Sequence, residues 1–255
     1  MEIPEYEVMY QSEEGHWWYV GLRDLVLPAV LEGVAGIDRP TILDAGCGTG
    51  ATLAFLRGDR AFGLEYSAEA FIFLRRRGLA RLARGSVDRI PFADGSFDAI
   101  LSADVLCCLG SPGDLDALRE FRRVLKPGGR LVMNLPAYQW LRSGHDQAVH
   151  TRRRYTRGEL GRLLTQADLR IRTNSYRNSI LFPIVVLVRL AQRLVTRSSS
   201  RIPHSDLRPL PAVLNWTLSL PLLLENRLIR LGFRFPFGLS AYVVAERPRS
   251  EENAG

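Results

Sequence analysis

The stretch TILDAGCGTG, Thr41 to Gly50, sets three glycines in alternation, Gly46, Gly48 and Gly50, just behind Asp44. Glycines so spaced let the backbone turn sharply and let a ligand approach where a Cβ would collide. A second carboxylate, Glu65, stands within FGLEYS; at the end of a strand it can accept hydrogen bonds from both hydroxyls of a ribose. Further along, SGHDQAVHTRRRY (143–155) offers His145 as a base near neutral pH, with Asp146 beside it as an orienting carboxylate. HWWYVGLR (16–23) bunches Trp17, Trp18 and Tyr19 with Arg23. The three cysteines, Cys47, Cys107 and Cys108, form neither a disulfide framework nor a metal-ligand spacing.

The glycine turn is not a Walker phosphate loop, because no lysine follows Gly50 to reach a phosphate. Its spacing, G-x-G-x-G, also differs from the G-x-G-x-x-G of dinucleotide sites.

The elements that must position these groups alternate in type. Strands are predicted over Thr41–Ala45, Ala61–Glu65, Phe97–Ser102 and Arg130–Leu135, and helices over Thr49–Arg57, Ala68–Arg77 and Asp114–Leu125. KPGG (126–129) reads as a helix stop and turn. A further helix, Arg157–Gln166, a strand, Leu169–Ser175, and a last strand in GLSAYVVAERP follow. Such alternation predicts an α/β, doubly wound, mostly parallel sheet. The expected organisation is a helical cap over 1–40, with a break or kink at Pro28, a core over 41–178, an apolar, arginine-rich helical insert over 179–237, and a final strand and tail over 238–255. Within the insert Arg189, Arg193 and Arg197 recur every four residues, on one helix face. ILFPIVVLV (180–188) stops far short of the ~20 apolar residues of a membrane span.

Four ordered segments, LDAGCGTG, FGLEYS, RIPFADGSFDAILSADVL and FRRVLKPGGRLVMNLP, together resemble the class I S-adenosylmethionine-dependent methyltransferases over about residues 41–136. The resemblance implies a Rossmann-like, seven-stranded sheet with its last strand antiparallel. S-adenosyl-L-methionine (SAM) is the implied cofactor, and no metal is called for. It implies that Gly46 and Gly48 let the backbone approach the methionine part, that Asp44 organises the turn and the ammonium, and that Glu65 takes the ribose. Ser86 and Val87 fall on the segment that flanks adenine, the Ala103 carbonyl on the ammonium, and Arg23 on the carboxylate. Trp18, Tyr19 and Tyr138 are assigned to the acceptor. Two positions depart from the family pattern. Ser86 stands where many relatives have Asp, and DVLCCL puts Cys108 where a histidine often faces the methyl group. A base must then come from elsewhere, and His145, oriented by Asp146, is the candidate.

Composition bounds the rest. Of the 255 residues 46% are apolar, enough for a full core, and the net charge of +7 is almost all arginine, Lys126 being the one lysine. The start of the chain lacks the pattern of a secretory signal, so a cytoplasmic location is expected, with peripheral membrane contact left open. The reaction expected is in-line methyl transfer to a small, partly apolar acceptor. A nucleic-acid methyltransferase, a membrane-surface lipid methyltransferase and a SAM-binding protein without activity are the alternatives. Nucleic acid is not the favoured partner, since the chain has no [DNS]-PP-[FYW] tetrad for a flipped base. A homodimer is left open.

Overall fold

The computed structural model describes residues 3–56, 60–195 and 210–249. A seven-stranded sheet runs β1 (Ile42–Ala45), β2 (Ala61–Glu65), β3 (Leu82–Arg84), β4 (Phe97–Ala103), β5 (Leu125–Pro136), β6 (Arg170–Arg177) and β7 (Ser240–Glu246) in chain order. In space the order is β3-β2-β1-β4-β5-β7-β6. β1 to β5 pair in parallel, whereas β7 is antiparallel to both neighbours. The order reverses between β1 and β4, the place where open α/β sheets bind ligands beyond their carboxyl ends.

Each face of the sheet has its own core. Helices α5 (Gly113–Val124) and α7 (Arg157–Gln166) cover one face, burying Ala117, Leu118, Phe121, Leu160 and Leu164 against Ile100, Leu131, Met133 and Val243. α5 forms because those apolar positions share one helical side, with Asp114 and Asp116 in the first turn and Arg122 and Arg123 in the last, matching the helix dipole. α7 starts on a reciprocal cap between Thr156 and Glu159. On the other face, α2 (Trp17–Gly33) buries Leu22, Leu25, Val26 and Val30, joined by Ile229 of α9 (Ala212–Arg230).

The sequence expectation differs from the structure at four places. Residues before Trp17 form a further helix, α1 (Ile3–Ser12). α2 continues through Pro28 as one helix. β3 is a three-residue edge strand, too short to show a period. KPGG lies within the span of β5, where Gly128 N–H and Gly129 C=O pair with Arg247. The remaining helices are the short α3 (Ala51–Phe55), α4 (Ala70–Arg76), α6 (Gly144–Ala148) and, in the insert, α8 (Phe182–Val195). Arg197 lies outside the described residues.

Candidate functional site

β1 is buried along its whole length, between β2 and β4, and delivers Asp44 and the glycine turn to the carboxyl edge. Gly46 and Gly48 have φ of 85° and 55°, a left-handed backbone that side chains resist. A Cβ on Gly46 would also come within 2.3 Å of Val105. Glu65, at the end of β2, braces this turn. Its two oxygens accept from Gly48 N–H and Ser67 N–H, both at 2.9 Å.

The N-terminal helices close over the turn. Met9 of α1 stands 3.0 Å from where a Cβ of Gly48 would be. The Tyr6 hydroxyl bonds the Ser67 side chain; burial is the main cause of its pKa being pushed up to about 12. Glu13, buried in the α1–α2 turn, accepts from the Thr49 hydroxyl and from Arg77 at 2.9 Å. Arg23 is buried; its guanidinium donates to the carbonyls of Glu13 and Glu14 and lies 4.9 Å from the Phe55 ring. It thus ties the α1–α2 turn together. Tyr19 completes this layer: burial raises its pKa, with further rises from the charges of Glu13, Asp104 and Glu5.

Carboxylates dominate the electrostatics. Burial, then Glu13, then Glu65, push Asp44 up to about 7. Asp44 Oδ2 is buried and has no hydrogen-bond partner. At the end of β4 burial pushes Asp104 up to about 6 against the opposing pull of Arg177, Asn134 and Arg154. A carboxylate whose pKa is raised mainly by burial, with an oxygen unused, suits a positively charged ligand. SAM carries a sulfonium and an ammonium, so the residues present fit it. Asp44 would hold the ammonium, Gly46 and Gly48 would admit the methionine chain, and Glu65 would take the ribose.

Beside the glycine turn lie the ends of β4 and β5. Ala103 pairs with Asn134, whose side-chain amide donates to Asp104 at 3.1 Å. Beyond them a short turn, Leu106–Cys108, holds the two cysteines, and the Cys107 thiol bonds Asp104 C=O at 3.1 Å. The 143–155 loop folds onto that turn, since Arg152 and Arg153 N–H bond Cys107 C=O. Asp146 is 1% exposed, and its carboxylate is committed to Ser143 N–H at 2.7 Å and to Arg154 at 2.8 and 3.1 Å. It closes the capping box of α6 on Ser143 and is half of an ion pair, while His145, next to it, is half-buried. Tyr138 stacks on Tyr176 at 5.1 Å. Trp18 lies under the buried guanidinium of Arg177 at 5.2 Å. Ser86 is half-buried, and Val87 belongs to the core beside Leu64 and Ile90.

Three contributors escaped sequence reasoning. Asp104 had a signal, a carboxylate two residues past a predicted strand in SADVL. Glu13 and Arg77 had none, because 64 residues separate the partners of that ion pair.

Residues 43–133 match the family model of the methyltransferase domain. An uncharacterized protein of Mycobacterium bovis is 38% identical over 137 residues, 51% of this chain and 46% of its own. A ubiquinone/menaquinone biosynthesis C-methyltransferase of Paracoccus denitrificans is 34% identical over 155 residues, 53% of this chain and 58% of its own. The chain spans about half the length of the curated relatives it matches. Among solved structures, a putative methyltransferase bound to the Haloferax volcanii Trm112 activator superposes with a TM-score of 0.58 at 20% identity, covering 97% of this chain and 94% of that one. That likeness establishes the fold. Residues 43–133 are thus similar to a methyltransferase domain, and the chain as a whole shares the fold of that solved methyltransferase.

Proposed function

We propose that the chain transfers a methyl group from SAM to a small, partly apolar acceptor held beyond the ends of β4 and β5. The observation that carries this reading is the buried, unpartnered Oδ2 of Asp44 at the glycine turn, a place suited to a cation. SAM supplies a methyl group already activated by its sulfonium, so the chain's work is mainly to hold two reactants in line, worth ~7–11 kcal/mol of barrier. α1 and α2 exclude water from above, and Tyr19 stands with the carboxylates Glu13 and Asp104 at that roof.

Where the acceptor must lose a proton, Asp104 is the favoured base. It ends β4 beside Asn134, its pKa of about 6 lets it be ionised at neutral pH, and Asp146 is occupied by Arg154. Aromatic side chains at the carboxyl edge, Tyr138, Trp140 and Phe182, support an apolar acceptor. The quinone-biosynthesis C-methyltransferase of Paracoccus denitrificans is a matched relative whose name is consistent with such chemistry. The test is methyl transfer from labelled SAM across a library of small apolar acceptors. SAM binding followed by labelled product supports the reading. Absence of SAM binding sinks it.

A further inference from the structure

The insert leaves apolar helix faces uncovered. α9 buries Ser219, Glu225 and Asn226 beside Leu222 and Ile229, while Val213, Trp216, Leu220 and Leu224 are 77%, 63%, 42% and 55% exposed. Those four recur every three to four residues and form one stripe. The orientation is pinned: Asn226 donates to Gly21 C=O at 2.7 Å and to Asp24 at 2.9 Å, and Glu225 accepts from Ile180 N–H at 2.6 Å. Rolling the apolar stripe inward would break all three. α8 also turns apolar side chains outward, with Ile184, Leu187 and Val188 60%, 66% and 50% exposed at helical spacing. Apolar surface on this scale marks a site of association.

Charge selects the occupant. Residues 179–237 hold eight arginines against two carboxylates, Asp206 and Glu225, and so carry six of the chain's seven net positive charges. A second copy would bring the same positive segment against itself, whereas an anionic bilayer offers both apolar depth and negative headgroups. Trp216 suits the polar–apolar boundary. Among the described residues no helix is long and apolar enough to cross a membrane, so the helices would lie in the surface. The face also joins the catalytic edge. Phe182, the first residue of α8, packs on Tyr138 at 5.8 Å and on Phe237 at 5.4 Å.

We propose that the outward apolar faces of α8 and α9 seat the chain on an anionic lipid bilayer. The docking does not depend on methyl transfer and is tested apart from it. The full chain is sedimented with vesicles of phosphatidylglycerol and phosphatidylcholine, and with phosphatidylcholine alone. Binding to the anionic vesicles, weakening with added salt, is expected. The L187E/W216E double variant should lower partitioning at least ~10-fold, since each change puts a charge in the apolar face. Both sites are exposed, so its melting temperature should match the parent's. Brominated lipid should quench tryptophan emission in the parent, and Trp216→Phe should remove most of that quenching while vesicle binding persists. The proposal is overturned if the parent ignores anionic vesicles. It is equally overturned if the parent is a dimer in the absence of lipid that the double variant dissolves, with vesicle binding unchanged by that variant.

Discussion

Replacing Asp44 with asparagine separates a stability effect from a binding effect of opposite sign. In the unliganded protein burial, Glu13 and Glu65 push this carboxyl up to about 7, against about 3.9 in an unfolded chain. Between those values the folded state holds a proton that the unfolded state has lost. The stability from the neutral form is therefore fully present below about pH 4 and is lost as pH rises through about 7. At 1.36 kcal/mol per unit, three units amount to about 4 kcal/mol at pH 8 as an upper bound. Asparagine removes the charge at every pH, so the unliganded Asp44→Asn protein should melt several degrees above the parent at pH 8 and close to it at pH 4. Binding runs the other way. A cationic ligand needs the ionised carboxylate, of which about one tenth is present at pH 6 and about nine tenths at pH 8. SAM affinity of the parent should thus rise roughly tenfold over that interval, with release of a proton on binding. The variant should lose this pH dependence and bind ~10–100-fold more weakly at pH 8, the ~1.5–3 kcal/mol of a charge-assisted hydrogen bond. Calorimetry at pH 6, 7 and 8 in buffers of different ionisation enthalpy measures both quantities, and scanning calorimetry measures the melting. A parent affinity flat from pH 6 to 8, with no gain in melting temperature for the variant, would refute the reasoning.

Glu65→Ala should weaken SAM binding ~10–100-fold, because it removes charge-assisted bonds; an unchanged dissociation constant in a folded variant removes Glu65 from the ribose. Gly46→Ala should cost ~1–3 kcal/mol of stability from its positive φ alone, with the Val105 contact adding to that; a melt matching the parent's would show that the turn tolerates a Cβ. Asp104→Asn should lower turnover ~10²–10⁴-fold and abolish the rise in rate through about pH 6, whereas His145→Ala should cost less than ~10-fold. The reverse order would return the base to the 143–155 loop.

The sequence by itself determined the sheet apart from its edge strand β3, and the glycine turn at its carboxyl edge. Thr41 to Gly50 carries its own instructions, since glycines at 46 and 48 specify a backbone that other residues resist, and an apolar run before them specifies a buried strand. Periodicity located α5 and α7 for the same local reason. Tertiary structure decided what lies above the turn and beside it. Met9, Tyr6, Glu13 and Arg23 reach the site through the packing of α1 and α2, and no local pattern announces a contact such as Arg77 to Glu13. His145 and Asp146 read as a neighbouring base and carboxylate, yet the Asp146 carboxylate is committed first to Arg154 and to its own helix cap, partners that sequence adjacency does not announce. The insert shows the limit most plainly. Its leucines and arginines are legible in sequence, but which face points inward was fixed by Asn226 and Glu225 finding partners on α2 and at Ile180, and those partners lie between 45 and 205 residues away.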